Sequence, residues 1–207
     1  MKAAKLAHLH EFDFRRIRRI QGWLAGVDES GRGPLAGPVV AAGVIFFKRD
    51  GLDGLTDSKL VGPKKRRILF WDIIKQALVG IGIVDRKVID EINIYQATRL
   101  AMKQAVQALS HTPAALLIDG PIQLDLPLKQ DSVIGGDRKS ASIAAASIVA
   151  KVYRDTLMEH YHSLYPKYRF NDHKGYGTKA HKQVLKQLGP CAIHRRSFSP
   201  VSVMAVT

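Results

Sequence analysis

The chain has 207 residues, of which 46% are hydrophobic and 24% charged, so it suits one globular domain with a small appendage and is not a disordered chain. No apolar run approaches the ~20 residues that a membrane helix needs, and the first residues lack the apolar stretch of a secretory signal. The single cysteine, Cys191, excludes an intrachain disulfide and agrees with a cytoplasmic location.

The net charge of +14 is concentrated at the two ends of the chain. Residues 1–21 carry six Lys or Arg against two Asp or Glu, and residues 138–198 carry twelve against three. The C-terminal excess is interleaved with aromatic residues, which is typical of a groove that binds nucleic acid. The middle of the chain holds most of the acids.

Three strands are predicted early in the chain. Residues 1–22 are interpreted as a basic arm without a clear partner in the fold. Trp23 to Asp28 reads as a strand that ends in acids, followed by a largely buried strand over 38–46. A helix is predicted from Pro63, because proline suits a first helical turn, and a third strand over 79–84.

Strands and helices alternate in the second half of the chain. A helix is predicted after Asn93, a good N-cap residue, and a buried strand over 114–118 ends at Asp119. A weaker strand at Val133-Ile134 precedes an amphipathic helix over 140–162. This order favours an α/β fold, a mixed sheet flanked by helices.

Acidic residues stand at the ends of several predicted strands. Asp28 and Glu29 are adjacent, and neighbouring side chains on a strand point to opposite faces, so both can reach one site only if the strand ends or bulges there. Asp119 ends another strand. Spacing alone leaves the fourth acid open among four candidates, which are Asp125, Asp131, Asp137 and Asp155.

Clustered carboxylates repel one another and raise one another's pKa values unless a cation joins them. Mg²⁺ and Mn²⁺ prefer such oxygen ligands, and two ions about 4 Å apart can promote phosphodiester hydrolysis. Acids with basic flanks therefore indicate phosphodiester chemistry, which phosphatases, integrases and polymerases share.

Five groups of residues resemble one known family in their order. The chain closely resembles bacterial ribonuclease HII, the type 2 ribonuclease H family, from about residue 23 to 200. The matching stretches are Gly26 to Ala42, Asp57-Ser58-Lys59, Ile118-Asp119-Gly120, Lys139-Ser140 with Ala144 to Asp155, and His173 to Thr178 with His194-Arg195.

The resemblance implies a ribonuclease H-like fold, a mixed five-stranded sheet with helices on both faces and a C-terminal helical extension. Residues 23–207 would form a single catalytic domain, with a substrate-binding extension from about 160 to 207. The family's metal-binding and catalytic acids fall on four residues, and the resemblance prefers Asp137 as the fourth. They are Asp28, Glu29, Asp119 and Asp137.

The resemblance also implies which residues recognise the substrate. The glycines of Gly31-Arg32-Gly33 would let the backbone approach a ribose 2′-OH, the group that distinguishes RNA from DNA. Tyr176 falls on the residue that reads the RNA–DNA junction. The other residues expected to contact substrate are Lys59, His194 and Arg195. The histidines of the basic third show no zinc spacing, which favours phosphate contact or structural hydrogen bonds.

The activity implied is hydrolysis of the RNA strand of RNA–DNA hybrids and cleavage at ribonucleotides embedded in DNA, in replication and repair. It would use two Mg²⁺ or Mn²⁺ ions, leave 5′-phosphate and 3′-OH ends, and be carried out by a monomer without membrane contact. Two alternatives are another metal nuclease on the same fold, such as an integrase or a junction resolvase, and a nucleic-acid-binding protein without catalysis.

Overall fold

A computed structural model describes residues 2–48, 52, 54–55, 58 and 61–204 of the protein, with the backbone alone for residues 2–7. Asp57 and Lys59, which belong to the resemblance, lie outside the described residues. Among the residues that are described, no helix combines the length and the apolar character that crossing a membrane requires.

Five strands form one mixed sheet with the order β3-β2-β1-β4-β5. The first three pair antiparallel, whereas β4 runs parallel to both β1 and β5. The strands are β1 (Leu24–Ser30), β2 (Val39–Phe46), β3 (Ala77–Val84), β4 (Ala115–Asp119) and β5 (Lys129–Val133). The predicted mixed five-stranded sheet is therefore confirmed, and β1 is its central strand.

Helices cover both faces of the sheet. They are α1 (Lys2–Ile17), α2 (Pro63–Ile74), α3 (Arg86–Gln107), α4 (Ala141–Leu164), α5 (Phe170–His173) and α6 (Lys179–Leu188). Alternate residues of β2 point to opposite layers, as the period of two along a strand requires. Ala42 and Val44 pack with α2 and α4, whereas Ala41 and Ile45 pack with α3.

Helix α4 lies directly against the central strand because Gly26 has no side chain. A Cβ added at Gly26 would lie 2.1 Å from the carbonyl carbon of Ser142, in the first turn of α4. The alanine-rich first half of α4 is buried throughout. This close approach places the first turns of α4 beside β1, where the acids of the predicted site lie.

The N-terminal helix contradicts the prediction that the basic arm has no clear partner. Leu9 and Asp13 are fully buried, and Phe12 and Ile17 pack against the cluster formed by β1, β4 and α4. The prediction was wrong because the arginines dominate the composition, whereas the buried residues form one face of a helix. The division at residue 22 itself stays a prediction.

Helix α3 begins earlier than predicted but contains the predicted cap. Asn93 has φ 65° and ψ 165°, and its side-chain oxygen accepts hydrogen bonds from the N–H groups of Tyr95 and Gln96. The Asn93 carboxamide therefore caps the second part of the helix, as predicted. The preceding turns, capped by Asp85, were not predicted.

The C-terminal third forms a small core of its own around the loop after β1. Phe170, Leu185 and Ile193 pack there with Leu35 and Ala36. A single β-bridge joins Ala36 to His194. The segment that follows β1 is thereby held from the far end of the chain.

Candidate nuclease site

Three of the predicted acids lie at the carboxyl ends of the two central parallel strands. Asp28 and Glu29 belong to β1, and Asp119 is the last residue of β4. The expectation that β1 ends or bulges at the acids was wrong, since it pairs regularly with β2 as far as Ser30. Instead, its pairing with β4 stops at Val27, so Asp28 and Glu29 follow the last residue of β1 that pairs with β4.

The carboxyl group of Asp28 is buried and close to two other acids. Burial raises its pKa well above the usual range, and the carboxylates of Glu29 and Asp119 raise it further. The Asp28 side chain also accepts a hydrogen bond from the N–H of Glu29, at 2.7 Å. Asp28, Glu29 and Asp119 therefore form one electrostatically coupled cluster.

Glu29 links the acids to the loop that follows. Burial raises its pKa, the Arg32 guanidinium opposes that shift, and Asp119 adds to it. The Arg32 Nη1 atom lies 3.5 Å from Glu29 Oε1, and Arg32 is half exposed. The acids and the Gly31-Arg32-Gly33 loop are thus parts of the same surface.

Asp119 is connected to the predicted fourth acid through the backbone. Its Oδ1 atom accepts a 2.6 Å hydrogen bond from the N–H of Gly136, directly before Asp137. Asp137 is buried, in a short 3₁₀ turn (Gly136–Arg138) just before α4, and its Oδ1 atom lies 3.9 Å from Arg138 Nε. The structure therefore brings three acids together and places Asp137 next to the residue that contacts Asp119.

A pair of serine hydroxyls lies behind Asp28. Ser147, on α4, hydrogen-bonds the Asp28 carboxyl group and lowers its pKa, against the effect of burial. The Ser147 and Ser58 hydroxyl oxygens are 2.9 Å apart. A serine has only one O–H, so when Ser147 donates to the Asp28 carboxylate it must accept from Ser58.

The donor set fits a hard divalent cation that shares its ligands with substrate. Three neighbouring carboxylates destabilise one another's charge, and a cation among them would remove that repulsion. Within the described part of the chain, no three His, Cys, Asp or Glu side chains form a ready-made metal cage. Mg²⁺ usually takes one or two carboxylates plus substrate phosphate rather than a full protein cage.

Two fully buried arginines hold the loop after β1. Arg195 donates to the carbonyl oxygens of Gly31, Arg32 and Gly37, at 2.6, 2.8 and 3.0 Å. The carbonyl oxygens that accept from the other arginine, Arg154, are those of Ala36, Pro38 and Lys174. Both guanidinium groups donate hydrogen bonds to backbone carbonyl oxygens, and these bonds hold the loop rigid.

Tyr176 lies beside this loop and is partly exposed. A Cβ added at Gly33 would lie 3.9 Å from the Tyr176 ring. The Lys151 Nζ atom and the Arg154 Cζ atom lie 5.7 and 5.8 Å from the ring centroid. The structure therefore places the predicted junction residue next to the predicted 2′-OH sensor.

The histidines of the C-terminal third form a chain of hydrogen bonds behind Tyr176. The Cys191 N–H donates to His194 Nδ1 at 3.0 Å, and the Nε2 atoms of His194 and His181 are 3.0 Å apart. His181 Nδ1 lies 2.9 Å from the Tyr176 carbonyl oxygen. These bonds are mutually consistent only if both imidazoles are neutral, with His194 protonated on Nε2 and His181 on Nδ1.

Burial lowers the pKa of His181 to about 4 and that of His194 to about 3, which agrees with neutral rings. The structural hydrogen bonding expected of these histidines is therefore present. Direct substrate contact by His194 or Arg195 stays a prediction, and their complete burial argues for roles exerted through the loops they hold.

Two residues with evident positions in the site, Ser147 and Arg154, were not singled out as functional from the sequence. Both stand within the resembling stretch that forms α4. A serine among alanines is commonly a packing residue, and an arginine is commonly exposed. Their roles depend on partners more than 100 positions away, which local patterns do not reveal.

The sequence of the chain matches a known protein family. Residues 25–201 match the family model for ribonuclease HII. The ribonuclease HII of Lactobacillus delbrueckii subsp. bulgaricus is 57% identical over 199 residues, covering 95% of this chain and 77% of that protein. The ribonuclease HII of Bacillus subtilis is 50% identical over 203 residues, covering 97% and 79%.

Solved structures have the same architecture. The ribonuclease H2 of Pyrococcus horikoshii OT3 superposes with a TM-score of 0.74 at 25% identity, covering 87% of this chain and 96% of that one. Bst-RNase HIII, crystallised in complex with Mn²⁺, gives a TM-score of 0.64 at 16% identity, covering 97% of this chain and 71% of that one. At this identity the likeness supports the fold alone. The ribonuclease H-like fold implied by the sequence is confirmed.

Proposed function

Because the chain belongs to the ribonuclease HII family, whose members are nucleases with ribonuclease H activity, we propose that it is an endonuclease that cuts the RNA strand of RNA–DNA hybrids. It also cleaves at single ribonucleotides in duplex DNA, leaving 5′-phosphate and 3′-OH ends. The proposal rests on the coupled acids of β1 and β4 lying beside the Gly31-Arg32-Gly33 loop.

The acids would hold the divalent cations, and the loop would select the ribose. Held by Asp28, Glu29, Asp119 and Asp137, two Mg²⁺ or Mn²⁺ ions would activate the attacking water and neutralise the phosphate charge. The Ser147 hydroxyl and the Glu29 N–H donate to the Asp28 carboxyl group and partly offset the effect of burial on its pKa. Arg32 holds Glu29 from the solvent side.

Recognition of the ribose falls to the backbone of the loop and to Tyr176. Arg32 and Gly33 are exposed, so their N–H groups can donate to a 2′-oxygen, and the Tyr176 ring beside Gly33 can stack on the next sugar. Lys59 would add phosphate contact. The protein is proposed to act as a cytoplasmic monomer on such duplexes, in replication and ribonucleotide repair.

The decisive experiment replaces Asp119 by Asn, which removes one charge from the cluster and keeps the side-chain shape. We expect kcat/KM on an RNA–DNA hybrid to fall by more than about 100-fold, because changes even to residues behind metal ligands cost 10- to 100-fold. Cleavage of a labelled hybrid, with Mg²⁺ and with Mn²⁺, measures it.

Asp125→Asn is the matched control, because Asp125 is exposed and paired only with Lys103 among the contacts described for it. The Asp125→Asn variant is expected to cleave the hybrid with the same kcat/KM as the unaltered protein. Full activity of Asp119→Asn would contradict the proposal and favour a non-catalytic binding protein. Equal cleavage of duplex DNA and hybrid would favour a junction resolvase or an integrase.

A further inference from the structure

Arg195 determines which way two peptide groups of the sensor loop face. Its Nη2 and Nη1 atoms bind the carbonyl oxygens of Gly31 and Arg32, so both carbonyls point toward the interior. In a trans peptide the N–H of the next residue points opposite to the carbonyl. The N–H groups of Arg32 and Gly33 therefore both point away from Arg195.

The two N–H groups face outward and are available. Arg32 and Gly33 are exposed, whereas Gly31 and Pro34 on either side are buried. Among the described residues, no backbone carbonyl accepts a hydrogen bond from either N–H. Successive N–H groups that point the same way form a concavity that binds an electron-rich oxygen.

Other contacts prevent the loop from turning over. Gly31 has φ +101°, where a side chain would be strained, and a Cβ there would lie 2.1 Å from Arg154 Nε. The Arg195 Nε atom also binds the carbonyl of Gly37, so one guanidinium closes the loop from residue 31 to residue 37. A planar guanidinium can serve three acceptors in fixed directions, and an ammonium group cannot reproduce that geometry.

We propose that Arg195 is a positioning residue for ribonucleotide selection, which orients the N–H groups of Arg32 and Gly33 toward the 2′-oxygen of the ribose without touching the substrate. This inference rests on the proposed function. It replaces the direct substrate contact expected of Arg195 with an action through the loop.

The test measures preference for the 2′-OH rather than activity. In an Asp119→Asn background, in which cleavage is slow, dissociation constants are measured for a DNA duplex containing one ribonucleotide and for the same duplex made wholly of DNA. The ratio of the two constants does not depend on the fraction of protein that is folded. Arg195→Met and the milder Arg195→Lys are compared with Arg66→Met, which removes another buried guanidinium whose carbonyl partners, Ser58 and Val61, lie outside the loop after β1.

We expect the background protein to prefer the ribonucleotide by about tenfold, the value of one to two hydrogen bonds. Both Arg195 variants should bring the ratio to within about twofold of one, whereas Arg66→Met should retain it. An unchanged ratio in the Arg195 variants overturns the inference, and so does an equal loss in Arg66→Met. A ratio of one in the background protein itself would instead contradict the proposed role of the loop in sensing ribose.

Discussion

Among single residues, Ser147 has the most direct influence on the acids. Its hydroxyl meets the Asp28 carboxyl group in a buried setting where charge is disfavoured. We expect Ser147→Ala to weaken activation by Mg²⁺ by roughly 10- to 100-fold, as loss of a partner behind a metal ligand does. Titrating cleavage of a hybrid against Mg²⁺ concentration measures the effect.

Ser132→Ala provides the control for this prediction. The Ser132 hydroxyl donates to the Ile122 carbonyl oxygen at 2.7 Å, on the edge strand β5. Its loss should leave the Mg²⁺ dependence unchanged. If Ser147→Ala has the same Mg²⁺ midpoint as the unaltered protein, Ser147 only fills space between α4 and β1.

The meeting of the acids could be foreseen from the sequence, but its geometry could not. Asp119 follows an apolar run, so its place at the end of a buried strand was predictable. Asp28 and Glu29 lie where β1 still pairs with β2 but no longer pairs with β4, which is a property of strand pairing. No pattern within residues 23–30 reports where a partner strand ends.

Among the elements, α1 shows how a basic segment can be built into the fold. Asp13 is fully buried and accepts hydrogen bonds from the Ser140 hydroxyl, the Ser142 hydroxyl and the Ser142 N–H, at 2.6 to 2.9 Å. A carboxylate at the first turn of α4 also interacts favourably with the helix dipole. Asp13 thereby joins α1 to the helix that carries Ser147.

We expect Asp13→Ala to lower the free energy of unfolding by about 3 kcal/mol, because two serine hydroxyls and one N–H lose a charged acceptor. Urea denaturation measures this loss. Arg15→Ala, which removes an exposed pair with Glu11, should change stability by less than about 0.5 kcal/mol. Equal stabilities for the two variants would mean that α1 contributes little to the fold.

Strand β5 was placed only approximately by the sequence. The prediction was Val133-Ile134, whereas β5 covers Lys129–Val133. It is an edge strand with polar side chains, and Gln130 hydrogen-bonds the backbone of Leu124 and Leu126. An edge strand held by such bonds lacks the apolar alternation on which strand prediction depends.

For the whole molecule, the buried histidine chain predicts how stability depends on pH. The pKa values of His181 and His194, about 4 and about 3, lie below the ordinary value of 6.5. Between pH 6.5 and these values the unfolded chain takes up protons that the folded protein does not, so stability falls as pH falls. We expect up to ~1.4 kcal/mol per pH unit for each ring, measured by urea denaturation between pH 6.5 and 5.

His181→Asn should lower the slope of the free energy of unfolding against pH by about the contribution of one imidazole ring. A carboxamide does not titrate in that range. His8→Gln alters an exposed histidine and should keep the original slope. An identical slope in all three proteins would mean that His181 takes no part in the acid sensitivity.

The largest difference between sequence and structure lies in the charged C-terminal third. Composition predicted a phosphate-binding surface, which stays a prediction, but two of the cations counted in it, Arg154 and Arg195, are fully buried. Composition counts charges without saying which of them face solvent. The carbonyl oxygens that accept hydrogen bonds from the two arginines belong mainly to residues 31–38. Contacts of such long range are visible only in the folded molecule.

The bonds from Arg195 to the loop after β1 span 163 and 164 positions of the chain. A ribosome makes the chain from its N-terminus, so the acids of β1 are synthesised long before the guanidinium that binds the loop. An interrupted translation product would therefore carry the carboxylates without the ordered loop beside them. The loop can therefore become ordered only after residue 195 has been synthesised.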